Sequence, residues 1–173
     1  MASKGPWTGT CEELCEVDVS GLAQWLERTL LNEKTRTATH PDFDSCMSRH
    51  CMVTNLAWNE NFGEKVQPLV DDIMQKHFPE CRTSLHMISF LMAGQTINLH
   101  QDAQALDWLV RVHVPITTND KAIYCNPPVE HNMEAGKAYL VNTKEPHECW
   151  NFGDTHRIHF MFDVLGPYGY GVT

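Results

Sequence analysis

The sequence has no run of eighteen apolar residues, so no segment is long enough to cross a bilayer as an apolar helix. It is also poor in positive charge. Lysine and arginine number 13 against 22 aspartates and glutamates, and the formal net charge is −9. Because like charges repel, this balance argues against nucleic acid and anionic membranes as partners. The sequence also lacks internal repeats and low-complexity segments.

Cysteine is present in an odd number and without regular spacing. The seven cysteines do not have the pattern of a small secreted domain held by disulfides. Residues 1–6 lack the apolar core of a signal peptide. We therefore expect reduced thiols and a cytoplasmic location. A four-cysteine zinc site made by the pairs Cys11/Cys15 and Cys46/Cys51 is a weaker alternative, because the spacings are loose and no turn glycines flank them.

The 173 residues, of which 42% are hydrophobic and 20% charged, are most simply one folded domain, residues 1–173. Residues 1–17 are expected to be a loose N-terminal arm. Residues 18–80 are expected to give helical support and a possible lid loop. The core of the fold is expected in residues 84–164.

Two helices are predicted in the first half of the chain. Apolar side chains recur at helical spacing over residues 21–33, with Ser20 as the N-terminal cap, and again over residues 61–77. The stretch 34–49 has no periodicity and is predicted to be a loop that closes over substrate, since long loops in compact domains often act as lids. A short strand is predicted over residues 51–58.

From Ser84 onward, short runs of alternating apolar and polar residues are separated by turn residues. Closely spaced short strands of this kind indicate a sandwich or barrel, here with two helices packed outside it. The predicted fold class is therefore mostly β with flanking helices. The predicted strands span residues 84–92, 108–116, 121–125, 137–142, 147–151 and 156–164.

Two of these strands carry cations on the face that should lie inside. Valines alternate with Arg111 and His113 in one strand, and aromatic residues alternate with Arg157 and His159 in the other. Such a face makes a poor core and a good pocket lining. A buried guanidinium needs an anion, and its planar fork fits a carboxylate. Two partners remain open at this point, a structural salt bridge to one of the acidic residues or a dicarboxylate cosubstrate.

A His-x-Asp pair precedes these strands, and a further histidine follows far downstream. His100 and Asp102 lie two residues apart, so both side chains project to the same side of extended chain. His147 comes after a Glu-Pro turn. Two imidazoles and one carboxylate can occupy one face of an octahedral ferrous ion and leave the opposite face open. In a chain with ten histidines, the alternative is that these are ordinary surface residues.

The order of these residues resembles the aspartyl/asparaginyl β-hydroxylase family. The resemblance rests on His-x-Asp at 100–102, Arg-x-His at 111–113, Glu-Pro-His-x-x-x-Asn-x-Gly at 145–153, and Arg157 beyond them. It covers residues 84–164, less than half of the chain. Members of this family are oxygenases that depend on Fe(II), O2 and 2-oxoglutarate and have a double-stranded β-helix fold, also called a jelly-roll or cupin-like fold.

The resemblance implies a position for each reactant. The two histidines and the aspartate of the ligand pattern would bind iron. Arg157, helped by the hydroxyl of Ser89, would bind the distal carboxylate of 2-oxoglutarate. Arg111 and His113 would lie near the metal-bound end of that molecule.

The implied activity is hydroxylation of an unactivated C–H bond, coupled to decarboxylation of 2-oxoglutarate to succinate. A free amino acid such as proline, or a related small metabolite, is the expected substrate, since we see no further domain for gripping a protein. One alternative is β-hydroxylation of Asp or Asn side chains in a peptide or protein. Another is a non-catalytic jelly-roll module that binds a metal or a small molecule.

Overall fold

The computed structural model describes residues 7–30, 47–48, 51–53 and 60–167. Within these ranges, no helix is long and apolar enough to cross a membrane. The elements in chain order are β1 (Cys11–Glu16), α1 (Leu22–Leu30), β2 (Met47–Ser48), β3 (Cys51–Val53), α2 (Glu60–His77), β4 (Arg82–Leu91), β5 (Gln95–His100), β6 (Trp108–Thr117), β7 (Ala122–Asn126), β8 (Val129–His131), β9 (Lys137–Val141), β10 (His147–Asn151) and β11 (Arg157–Leu165).

The strands form two antiparallel sheets. The six-stranded sheet has the order β1-β9-β6-β11-β4-β3, and the five-stranded sheet has the order β2-β5-β10-β7-β8. From β4 to β11 the chain passes back and forth between the two sheets. This winding is that of a double-stranded β-helix, so the predicted fold class, mostly β with flanking helices, is confirmed.

The main core lies where the helices cover the six-stranded sheet. Val112 and Val114 of β6 pack there with Phe160 and Phe162 of β11, and all four side chains are buried. The apolar alternation predicted for these two strands is therefore confirmed, and the cations between these residues project toward the space between the sheets. The helical residues of the same cluster are Leu22, Leu26, Val66, Val70 and Ile73.

Replacement of Phe162 by alanine should lower the free energy of unfolding by about 3–5 kcal/mol, because it leaves a cavity in a fully buried cluster. Phe152→Ala is the matched control. The Phe152 side chain is 60% exposed, and its loss should cost less than about 1 kcal/mol. Urea denaturation of both variants measures the difference. Equal losses for the two variants would contradict this description of the core.

The prediction of a loose N-terminal arm over residues 1–17 is wrong for Cys11–Glu16, which form strand β1. This strand pairs with β9, with Cys11 opposite Val141 and Glu16 opposite Lys137. Its sequence, Cys-Glu-Glu-Leu-Cys-Glu, shows no clear alternation, because a bulge after Glu13 shifts the register. Pairing with β9 decides the structure here, and the local pattern does not.

The bulge in β1 also bears on the zinc alternative. Cys15 packs against the main core under the helices, whereas Cys11 packs against a second cluster around Tyr124 and Tyr139. The two thiols therefore belong to different apolar clusters and are not placed to share one ion. Cys46 lies outside the described residues.

The first half of the chain otherwise agrees with prediction where it is described. Helix α1 falls within the predicted range 21–33, and α2 matches 61–77, with the exposed Pro68 inside it. Strand β3 is the described part of the strand predicted over 51–58. The predicted lid, residues 34–49, lies outside the described residues except for Met47–Ser48, which pairs with β5 as β2.

Candidate functional site

The two histidines of the predicted ligand set lie on neighbouring strands. β5 and β10 pair so that His147 is opposite His100, and the ring centroids are 4.2 Å apart. The sequence predicts no strand between residues 92 and 108, yet β5 lies there. The preceding turn ends at Gly94, whose φ of 77° suits glycine, and β5 begins at Gln95. Strand pairing thus gathers residues that are far apart in sequence.

Asp102 completes a compact group of donor atoms. One ligand atom from each of His100, Asp102 and His147 lies within 4.8 Å of the other two. The Nε2 atom of His100 is 3.5 Å from Oδ1 of Asp102. Across the described ranges, no other three histidine, cysteine or acidic side chains are arranged in this way. The donor set fits a divalent transition metal with open coordination positions, of which ferrous iron is the typical case.

Both imidazoles are oriented by backbone carbonyls. Nδ1 of His100 is 2.7 Å from the oxygen of Asn98, and Nδ1 of His147 is 2.9 Å from the oxygen of Glu145. A nitrogen that donates to a carbonyl carries the proton, so Nε2 keeps its lone pair for a metal. Burial lowers the pKa of His147 to about 4, against the opposing effect of the Glu145 carbonyl. This ring is therefore neutral at neutral pH.

Asp102 is held by the turn before β10 and by a cation. Its backbone N–H donates to the oxygen of Thr143 at 2.9 Å, and Gln104 donates to the hydroxyl of the same threonine at 2.6 Å. Oδ2 of Asp102 accepts from Nη1 of Arg111. The carboxylate is thus fixed with one oxygen paired and the other facing His100.

Arg111 lies inside, as predicted, and its main partner is a carboxylate that sequence reasoning missed. Its Nε donates to Oδ1 of Asp163 at 2.8 Å and its Nη2 to Oδ2 at 3.2 Å. Burial opposes the charge, but Asp163 and Asp102 raise the pKa of Arg111, so the guanidinium stays charged. The alternation in β11 placed Asp163 on the inner face, but only the pairing of β11 with β6 sets it opposite Arg111.

Arg157 is 2% exposed and lacks a carboxylate partner among the described residues. Its Nη2 is 3.0 Å from Nδ1 of His159, and its Nη1 has no hydrogen-bond partner there. Ser89, which is also buried, lies opposite His159 on β4 and so shares this face. Burial lowers the pKa of Arg157, because the charge is removed from water. An anionic ligand would satisfy this guanidinium.

Several other buried polar atoms share this interior and lack partners in the described part of the chain. Aromatic contacts connect them. His113 meets Tyr124 and His159 at ring distances of 5.8 and 5.7 Å, and Tyr124 stacks on His147 at 5.6 Å. Leaving such an atom unpaired costs about 1–3 kcal/mol, so a polar ligand or water is needed. The atoms are both ring nitrogens of His113, Oη of Tyr124, Oδ1 of Asn126 and Nε2 of His159.

The Asn-x-Gly part of the motif that carries the resemblance is structural. Asn151 is fully buried and donates to the backbone oxygens of Leu91 and Thr155 at 3.1 and 2.8 Å. A Cβ on Gly153 would lie 2.1 Å from the side-chain oxygen of Asn119, so any larger residue would displace that amide from its hydrogen bonds to Asn151 and Thr155. These contacts fix the turn that leads into Arg157.

Comparison with known proteins identifies the family and the fold of the chain. The model of the family described as aspartyl/asparaginyl beta-hydroxylase matches residues 25–167. A Pseudomonas putida prolyl-4-hydroxylase is similar in fold, with a TM-score of 0.64 and 12% identity over 92% of this chain and 94% of that one. A viral collagen prolyl hydroxylase from Paramecium bursaria Chlorella virus-1, solved with 2-oxoglutarate, has a TM-score of 0.63 and 8% identity over 92% and 97%.

A third similar structure is the α-ketoglutarate-dependent carbocyclase SnoK from nogalamycin biosynthesis. Its TM-score is 0.61 at 12% identity, over 86% of this chain and 74% of that one. At such low identities these likenesses establish the shared fold. The family match rests on the sequence itself and spans most of the chain.

Proposed function

The chain belongs to the aspartyl/asparaginyl β-hydroxylase family, an enzyme family of non-haem iron oxygenases that use 2-oxoglutarate, and we propose that it hydroxylates a free amino acid or a related small metabolite. The observation that carries this proposal is the joint presence, in one polar interior, of a three-residue donor set and a buried arginine that has no carboxylate partner among the described residues. Enzymes of this kind need a metal centre and an anchor for a dicarboxylate close together. Family membership makes the non-catalytic binding module the weaker alternative.

The residues present fit both groups. We propose that the donor set of His100, Asp102 and His147 holds Fe(II), since its three ligand atoms converge and both rings present Nε2. Arg157, helped by Ser89 on the paired strand β4, would bind the distal carboxylate of 2-oxoglutarate. The buried polar atoms between these two ends would satisfy the rest of that molecule.

Two further residues are assigned to the metal-proximal end of 2-oxoglutarate. His113 is buried with both ring nitrogens unpartnered, and burial, followed by the nearby Arg157, lowers its pKa well below the usual value. It can therefore donate or accept as a neutral ring. Arg111 contacts Asp102 and uses three of its five N–H groups on the two carboxylates, which leaves donors for a ligand oxygen.

When bound, iron, 2-oxoglutarate and O2 would supply the oxidising chemistry: the keto acid loses carbon dioxide and takes one oxygen atom of O2 to become succinate, and the other oxygen atom enters the substrate as its hydroxyl group. The protein supplies position and a dry surrounding. His147 stays neutral and presents its lone pair. Asp102 contributes negative charge on one oxygen, while Arg157 neutralises a carboxylate away from the metal. The buried interior excludes bulk water, which strengthens both charge interactions.

Exposure at the site favours a small substrate. The side chains of His100 and Asp102 keep only 15% and 20% of their surface accessible, so both are largely covered, as suits a closed pocket for a small molecule. A second candidate, β-hydroxylation of Asp or Asn side chains in a peptide, is favoured by a different observation. Leu106, four residues after Asp102, is 88% exposed and offers an apolar contact for an extended peptide.

The experiment is succinate formation from 2-oxoglutarate by protein loaded with iron under anaerobic conditions and then exposed to oxygen. Pools of free amino acids are compared with peptides that contain Asp and Asn. Stimulation by an amino acid pool supports the proposal, and subtraction from the pool then identifies the substrate. Stimulation by peptides alone would establish the second candidate. Absence of turnover under every condition would overturn both.

We also infer a cytoplasmic location. The five cysteines whose side chains the structure describes are free thiols, and burial raises the pKa of each of them, which keeps them protonated and unreactive. Thiols in this state suit a reducing compartment. The cysteines concerned are Cys11, Cys15, Cys81, Cys125 and Cys149.

A further inference from the structure

We propose that Asp163 is a positioning residue for the metal centre: acting through Arg111, it fixes the orientation of the Asp102 carboxylate and thereby raises the affinity of the centre for a divalent metal. This inference rests on the proposed ligand set. Neither the ligand pattern nor the resemblance includes Asp163, which lies on β11 on the inner face of the six-stranded sheet.

The carboxylate of Asp163 is buried and held by three donors. Two are the Nε and Nη2 groups of Arg111, at 2.8 and 3.2 Å, and the third is Nε1 of Trp108, at 3.3 Å from Oδ1. Trp108 is itself buried at the start of β6. The Asp163 carboxylate, on the neighbouring strand β11, therefore holds the Nε side of the Arg111 guanidinium. The position of Arg111 does not depend on a ligand.

The opposite side of the Arg111 guanidinium reaches the proposed ligand. Its Nη1 donates to Oδ2 of Asp102, and Oδ1 of the same carboxylate is 3.5 Å from Nε2 of His100. A carboxylate that binds a metal through one oxygen can rotate unless its second oxygen is held. Arg111 holds that second oxygen, and Asp163 holds Arg111. The chain of contacts thus selects which oxygen of Asp102 faces the histidines.

Charge points to the same role. Arg111 alone beside the centre would repel a divalent cation. Asp102, Arg111 and Asp163 together carry one net negative charge, so Asp163 offsets the arginine within a buried cluster where screening by water is weak. Loss of this charge should weaken metal binding even if the geometry were kept. A purely structural salt bridge between two strands would instead change stability and leave the metal affinity of the folded protein unaltered.

The test measures Co(II) and Mn(II) binding to metal-free protein, by titration of visible absorbance for Co(II) and by competition for Mn(II). Asp163→Asn keeps the shape and an acceptor for Trp108 but removes the charge. The dissociation constant should rise about 10- to 100-fold, as is typical for loss of an outer partner of a metal ligand. Asp120→Asn, at an exposed turn, is the matched control and should bind like the parent protein.

A second variant covers the case in which Asp163→Asn does not fold. Trp108→Phe removes one donor to Asp163 and keeps all charges, so a smaller increase, of several-fold, is expected. Metal affinity equal to that of the parent in the folded variants overturns the positioning role. If the His147→Ala variant bound metal as tightly as the parent protein, the proposed ligand set itself would be overturned. The two failures are therefore distinguishable.

Discussion

Substrate-stimulated succinate formation is expected to fall more than about 100-fold when Asp102 is replaced by alanine. Loss of an outer partner of a metal ligand typically costs about 10- to 100-fold, and loss of a ligand itself should cost more. The substitution also removes one of the two anions that Arg111 contacts, which leaves a cation next to the metal position. Activity is measured at saturating 2-oxoglutarate with the best substrate pool, and Co(II) titration on the same samples measures metal affinity.

Asp154→Ala is the control for removal of a carboxylate, since this residue is exposed in the turn before β11. It should retain the activity of the parent protein. Near-ultraviolet circular dichroism checks that the Asp102 variant is folded. If the folded variant kept a tenth or more of the parent activity, Asp102 would not be a ligand, and the centre would have to work with two histidines alone.

The KM for 2-oxoglutarate is expected to rise between about 30-fold and several thousand-fold when Arg157 is replaced by methionine. Truncation of one partner in a buried charge pair costs about 2–5 kcal/mol, and each 1.4 kcal/mol is a factor of about ten. Metal affinity measured without 2-oxoglutarate should change far less, because Arg157 contacts none of the three proposed ligands in the described structure.

Arg157→Lys should fall between the parent and the methionine variant, because lysine keeps the charge but loses the planar fork that binds both carboxylate oxygens. Lys121→Met, an exposed cation at the β6–β7 turn, is the control for loss of positive charge. An unchanged KM in Arg157→Met would show that another group anchors 2-oxoglutarate. In that case the unpartnered Nη1 atom would need a different ligand.

Much of this site follows from local sequence pattern. The valines of β6 and the aromatic residues of β11 alternate with polar residues, and this alternation alone assigns Arg111 and Arg157 to the interior. The closeness of His100 and His147 cannot be inferred from local pattern, because it requires that β5 and β10 be neighbouring strands. That pairing was not predicted, since Gln-Thr-Ile-Asn-Leu-His contains too few apolar residues to indicate a strand.

The parts of the site that the sequence does not predict depend on which residues face each other on paired strands. Asp163 is one of 22 acidic residues, and nothing local marks it as the partner of Arg111. Tyr124 and Asn126 line the interior because β7 pairs with β10, an arrangement that leaves no trace in their own neighbourhood. Likewise, β1 forms because β9 offers it an edge. Contacts between distant strands therefore limit prediction here more than the assignment of individual strands does.

The unpartnered polar atoms between the sheets serve turnover but lower the stability of the ligand-free protein. Selection for activity and selection for stability therefore favour different side chains at these positions. Each of these atoms costs the ligand-free protein free energy that an apolar side chain of similar size would not. Arg157→Met, which removes a guanidinium without an anion, should therefore melt at a higher temperature than the parent protein when both are ligand-free. Chains that descend from this one and no longer catalyse would be expected to fill this interior with apolar residues and gain stability.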